Sequence, residues 1–263
     1  AEAYRLGWRN FVVFDLRGQR FEGCGFGPMT EGVRIDLYGS SGDYVGSGID
    51  EMEIHIHGNA QDQIGQIMKR GTLVIHGDVG QCFMYGAKGG AVYVLGNAAG
   101  RPLINAAGKP RVIINGTALD YLAESFMAGD PLNGGGFVVV NGLTFDEDGV
   151  ISFLPRPYPG SNLFSLASGG ALYVRDPYGQ MVDEQLNGGV FTDLTVADWR
   201  LIHPYLKENE KHFGIPVSKL LTVDGELKKP NEVYRKVTAA PLAALAQIPS
   251  TDDSVWDADG AAA

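Results

Sequence analysis

Met52-Glu53-Ile54-His55-Ile56-His57-Gly58, matched nineteen residues later by Thr72-Leu73-Val74-Ile75-His76-Gly77, decides the fold of this chain. Each run alternates aliphatic side chains with others and stops at glycine. The pattern begins with Val33-Arg34-Ile35-Asp36-Leu37-Tyr38-Gly39 and returns at Ala91-Val92-Tyr93-Val94-Leu95-Gly96 and Arg111-Val112-Ile113-Ile114-Asn115-Gly116. Later copies are Phe137-Val138-Val139-Val140-Asn141-Gly142 and Ala171-Leu172-Tyr173-Val174-Arg175-Asp176. The terminal glycines Gly39, Gly58, Gly77, Gly96, Gly116 and Gly142 are spaced 19, 19, 19, 20 and 26 residues apart.

Aligned on that terminus, the residue two before it reads Leu37, Ile56, Ile75, Val94, Ile114, Val140 and Val174. The residue four before it reads Ile35, Ile54, Leu73, Val92, Val112, Val138 and Leu172. Both positions are aliphatic in every copy, while the positions between them are mixed, the period of strands with one buried face. A unit of this length cannot bury its apolar face alone, but stacked copies bury a continuous column. The reading is an all-β solenoid, a right-handed parallel β-helix of about seven coils over residues 32–176, its hand taken from the general crossover preference.

That architecture accounts for the composition. Of 263 residues 37 are glycine, about twice the usual 7%, and sharp corners stacked on one another leave little room for Cβ atoms or freedom in φ. The hydrophobic content of 44% supplies a core and excludes global disorder. A net charge of −10 without a basic run speaks against nucleic acid as a partner. The sequence holds no apolar stretch of the ~20 residues that cross a bilayer and no signal pattern at its start, so a cytoplasmic protein is expected.

Residues 1–31 precede the first copy, and Asn10–Asp15 reads as a strand capping the open edge. Leu143–Ser168 departs from the period, carries Asp146-Glu147-Asp148 and Leu154-Pro155-Arg156-Pro157-Tyr158-Pro159-Gly160, and is either a contact surface or a solvated decoration. Over 177–237 a helix is expected across Leu194–Phe213, acidic early and basic late, ended by Gly214 and followed by a short helix from Pro216 to Leu221. Thr238–Ala263 is alanine-rich and acidic, without a basic residue, and is read as a docking tail with Trp256 as its anchor. Tyr158 and Trp199 are the other candidate partner contacts.

Gly39-Ser40-Ser41-Gly42-Asp43-Tyr44-Val45-Gly46-Ser47-Gly48 and Leu166-Ala167-Ser168-Gly169-Gly170-Ala171-Leu172-Tyr173-Val174-Arg175-Asp176 resemble the first and last signatures of the GXGXG domain family. Trp199–Leu221 and Val233–Val237 are similar to that family's C-terminal segments. The domain forms the C-terminal part of the glutamate synthase large subunit, where it is a right-handed β-helix, and it also occurs in formylmethanofuran dehydrogenase and N-methylglutamate synthase. The resemblance implies a non-catalytic structural subunit that spaces the catalytic subunits of a glutamate-synthase-like oxidoreductase and amidotransferase complex. FMN and iron–sulfur clusters would then lie on partner subunits; the alternative is a molybdenum- or tungsten-pterin complex of the formylmethanofuran dehydrogenase type.

The residues themselves point to no catalytic, cofactor or metal site. His57 and His76 hold one position in adjacent copies with His55 beside them, a pair that could ligate a metal. A polar ladder on the sheet surface is preferred, because no carboxylate or thiolate recurs at that position in the next copy. Asp43-Tyr44 is read as orienting its corner through an aspartate turn. Gly39–Gly48 and Gly86–Gly90 lack the lysine and βαβ setting of a phosphate loop. Cys24 and Cys82 lack metal-ligand spacing and are read as buried free thiols. His203 and His212 fall on or just after the expected surface helix, away from any triad. A groove enzyme would need paired acids one coil apart on the exposed face, and the aligned outward positions hold none.

Overall fold

The computed structural model describes residues 2–146 and 148–240. The tail from 241 onward, with Trp256, lies outside the described residues. After a single helical turn, α1 (Glu2–Arg5), come β1 (Asn10–Gln19), β2 (Arg34–Ser41), β3 (Glu53–His57), β4 (Thr72–Ile75), β5 (Ala91–Val94), β6 (Arg111–Ile114) and β7 (Phe137–Val140). The hairpin β8 (Leu143–Phe145) and β9 (Ile151–Phe153) interrupts before β10 (Ala171–Arg175) and β11 (Gly189–Thr192). Helices α2 (Val196–Phe213) and α3 (Val217–Leu221), the small pair β12 (Thr222–Val223) and β13 (Glu226–Leu227), α4 (Pro230–Val233) and β14 (Tyr234–Ala239) complete the chain.

The repeat copies stack in parallel in the order of the sequence, β1 through β7 and then β10. Their register is the one the aliphatic columns require: Ile35 faces Ile54, which faces Leu73, then Val92, Val112, Val138 and Leu172. A slip of one residue would turn every aliphatic outward. Every residue of both columns is buried, each contributing roughly 1.5–3 kcal/mol from its removal from water. A second, narrower column of bridges, Ser41–Ala60–Val79–Ala98–Ala118, marks the regular part of the solenoid, which makes about five turns.

A side-chain ladder not anticipated from the sequence runs beside this narrow column. The Oδ1 atom of Asn59 accepts from the Asp78 N–H at 2.9 Å, Asp78 from the Asn97 N–H at 2.7 Å, and Asn97 from the Thr117 N–H at 3.0 Å. Each rung satisfies a backbone donor of the next turn that would otherwise be left at the corner. The recurrent Asn or Asp directly after the terminal glycine was the available signal. Asp43 works the same way: its Oδ1 accepts from the Asp62 N–H one turn on, at 3.1 Å, so it bonds across turns instead of within its own.

The outward face departs from the expected pattern. In β4, β5, β6, β7 and β10 the outward residues Val74, Tyr93, Ile113, Val139 and Tyr173 are as buried as the inward ones, because α2, α3 and the turn between them lie on them and supply Ile202, Leu206, Ile215 and Leu220 to a second core. Helix α2 begins where Thr195 and Asp198 form a capping box and ends at Gly214, whose positive φ of 69° lets its N–H reach the Glu210 carbonyl. At the far end β14 pairs antiparallel with β10 and with β11, closing the sheet edge that β10 would otherwise leave open.

The 143–168 segment is two things. β8 and β9 pair antiparallel as a hairpin, whereas Asn162, Phe164 and Leu166 resume the regular corner: the Tyr121 N–H donates to Ser161 O and the Phe164 N–H to Leu122 O, both across turns.

Candidate functional site

The outward face of β2 and β3, where the apolar cover of α2 gives out, gathers an unusual set of side chains. Asp36 and His55 are register partners on adjacent strands, and His57 sits two residues along from His55. His57 stacks between Tyr38, at 4.2 Å between ring centroids, and His76 of the next turn, at 4.8 Å. The last turn of α2 brings His212 over this face, 5.6 Å from His55, and Phe213 against the edge of His76 at 5.1 Å. Four of the five histidines of the chain thus converge.

His212 corrects the sequence reading: it is mostly buried against the solenoid, and its Nε2 is a buried polar atom without a hydrogen-bond partner. His57 and His76 stack one turn apart and stay half-exposed, as a ladder would, but His55 beside them is buried and faces His212. The carboxylate that the sequence reading sought in the following copy comes from the preceding one, since Asp36 Oδ1 is 2.9 Å from His57 Nε2. Such a contact joins positions one strand and two residues apart, which alignment on a single column does not display.

The electrostatics follow from the packing. The Arg34 guanidinium, donating to both Asp36 oxygens at 2.8 and 3.0 Å, holds that carboxyl well below the usual carboxylate range. Burial pushes the imidazoles of His55 and His212 down, against the pull of Glu53 on His55. Burial together with the neighbouring imidazoles lowers His76 to about 4. At neutral pH these three rings are uncharged and keep a free lone pair. Asp36, His55 and His57 each offer a donor atom within 4.8 Å of the others, the one such metal-competent group among the described residues.

With the stacked register, the corners and this face established, the comparison with known families is direct: the profile of the GXGXG motif family matches residues 10–230. The chain belongs to the GXGXG motif family. No curated protein matches it significantly.

The corner glycines divide into two kinds in this GXGXG chain. Gly58, Gly77, Gly96 and Gly116 have ordinary φ and are needed for room: a Cβ on Gly58 would lie 2.6 Å from the Gly39 carbonyl oxygen, and one on Gly116 would lie 2.6 Å from that of Gly96. Gly39 and Gly142 combine such crowding with φ of +114° and +63°. Left-handed backbone recurs at three alternate positions of each turn, and there glycine is the minority. Tyr44, Gly46 and Gly48 give way to Gln63, Gly65 and Ile67, then to Cys82, Met84 and Gly86, and then to Arg101, Leu103 and Asn105. The expectation that corner glycines supply freedom in φ is therefore corrected for the inner turns.

Of the three candidate partner contacts, Tyr158 is buried, its hydroxyl 3.1 Å from the carbonyls of both Leu119 and Ser161. It pins the excursion to the corner and has no surface to present. Trp199 is half-buried on α2, lining a small apolar recess with Leu194, Val196 and Pro230. Cys24 and Cys82 are free and half-buried, with thiols pushed up by burial.

Proposed function

We propose that this chain is a non-catalytic structural subunit of a glutamate-synthase-like complex, a rigid spacer between an amidotransferase and the FMN- and iron–sulfur-bearing unit that makes glutamate from glutamine and 2-oxoglutarate. Membership of the GXGXG motif family across residues 10–230 carries the reading. In it the solenoid winds right-handed through seven coils, one for each aligned sequence copy, the cofactors sit on partner subunits, and the assembly works in the cytoplasm.

The first strand supports a docking role. β1 is the outermost member of the sheet, and around it Trp8, Val12, Phe14 and Phe21 are all more than half exposed. An unpaired strand edge flanked by large apolar side chains is a surface that calls for a cover. Purification from the native source under mild conditions, followed by mass spectrometry of stoichiometric partners, tests the proposal. An amidotransferase with an FMN protein is the expected result; a pterin-binding partner would move the chain to the formylmethanofuran-dehydrogenase type, and isolation as a lone active monomer would overturn both.

A further inference from the structure

The histidine face described above is larger and better organised than a spacer needs. We propose that Asp36, His55 and His57 bind one divalent first-row transition-metal ion, with His76 and His212 at hand to complete its coordination.

The donor chemistry sets the class of ion. Two imidazoles and one carboxylate suit zinc, iron, nickel or copper, whereas magnesium and calcium prefer oxygen sets. Metal bonds of about 2.0–2.2 Å place tetrahedral donors roughly 3.3 Å apart. Asp36 Oδ1 and His57 Nε2, at 2.9 Å, are already near that spacing. A ring nitrogen of His55 lies within 4.8 Å of both. The strands that carry these residues are fixed by the β2–β3 ladder.

The surroundings have the form of an outer shell. Glu53 engages Nε2 of His55, the carboxylate–imidazole pairing that orients metal-bound histidines. Arg34 bridges Asp36 and Glu53, 3.2 Å from the latter, and so fixes both carboxylates. Asp36, Glu53 and Arg34 together carry one net negative charge, which a dication offsets. Nε2 of His212 is buried without a hydrogen bond, with the nearest carboxylate, Glu208, 3.9 Å away; that is an anomaly in a packed protein, and a metal at this face gives it a use. Coordination by His212 would also tie the end of α2 to the solenoid.

The test uses the full chain, stripped with chelator and titrated with zinc chloride by calorimetry, and with Co2+ followed by optical absorption and proton NMR. We expect one Zn2+ per chain with a micromolar or tighter dissociation constant, undiminished by excess Mg2+. His57→Gln and Asp36→Asn should each weaken binding at least tenfold, while His203→Gln, at the histidine packed on Trp199, should bind as the unaltered chain does. Thermal melts of each variant report folding. In the unaltered chain Co2+ should shift imidazole resonances of two or more histidines, a readout that needs no variant. Absence of stoichiometric binding, equal affinity in His57→Gln, or Co2+ binding without shifted imidazole signals would each overturn the assignment.

Discussion

Asn115 and Asn209 exchange a pair of side-chain amide hydrogen bonds, at 2.8 and 2.9 Å, across ninety-four residues of sequence and in full burial. The pair joins the strand end after β6 to α2, and it extends through Asn141, which donates to Asn115 at 2.9 Å, to the Tyr234 hydroxyl, which donates to Asn141 at 2.8 Å. Four elements of the fold therefore meet in one satisfied polar network inside an apolar layer. Removing one member strands the others. Asn209→Ala is expected to lower unfolding stability by about 3 kcal/mol, measured by urea denaturation. The Asn115→Ala/Asn209→Ala double variant should lose less than the sum of the singles, since the two asparagines then no longer strand each other and only Asn141 is left short of a partner; strict additivity would contradict the network.

The capping box of α2 is also part of a buried ion pair. Asp198, with no side-chain exposure, lies 2.8 Å from Lys236 Nζ and accepts from the Tyr173 hydroxyl at 2.6 Å. Burial alone would raise its pKa, yet Lys236, Thr195 and Tyr173 outweigh it and hold the carboxyl below its ordinary value. A depressed carboxyl stabilises the fold above its unfolded pKa and withdraws that contribution as pH falls through the folded one. The loss should therefore occur below roughly pH 4. Asp198→Asn, which leaves Lys236 unpaired, should cost about 3 kcal/mol at pH 7 and show a shallower acid arm. Denaturant midpoints from pH 7 downward check this, and parallel curves for the two proteins would refute it.

Crowding and backbone sign make opposite forecasts at two glycines. Gly46 has φ of +68° but would meet only the Ile54 and Ile49 side chains, at 3.5 Å and beyond, while Gly58 has ordinary φ and would press a Cβ against the Gly39 carbonyl. The turns after Gly65 place Met84, Leu103 and Ala123 at the position of Gly46, so the fold accepts side chains there. Gly46→Ala is expected to cost about 1 kcal/mol and Gly58→Ala about 3 kcal/mol, read from thermal or chemical unfolding. The reverse order would show that left-handed backbone, and not stacking room, decides the placement of glycine.

The inner columns were legible because each strand repeats the same two aliphatic positions, and stacking equivalent residues is the arrangement that buries all of them. Helix α2 was legible from its periodicity and the glycine that ends it. What the sequence hid is where α2 lies. Its contacts with Val74, Ile113 and Tyr173 are long-range, and the same outward positions hold His55 and Asp36 in the earlier turns, so the face read as mixed. His212 and Asn209 take their roles only from that docking. The left-handed rows were hidden for a different reason: Met84 and Leu103 sit in a conformation they disfavour in isolation, and only the neighbouring turns, bonded above and below, hold them there.

Phe14 offers the most direct test of the proposed assembly. It is 77% exposed on β1, beyond the last partner strand, so Phe14→Ser removes little buried surface. Stability should stay within about 0.5 kcal/mol of the unaltered chain. If the outer edge of β1 meets a partner, the same substitution takes a large apolar anchor from the centre of that contact, where single aromatic truncations commonly cost 2 kcal/mol or more. That corresponds to roughly a thirtyfold weaker association. Co-purification of the Phe14→Ser chain with its native partners, compared with a control such as Tyr178→Ser at the opposite end of the sheet, reads this out. Equal recovery of partners by both variants would move the docking surface away from β1.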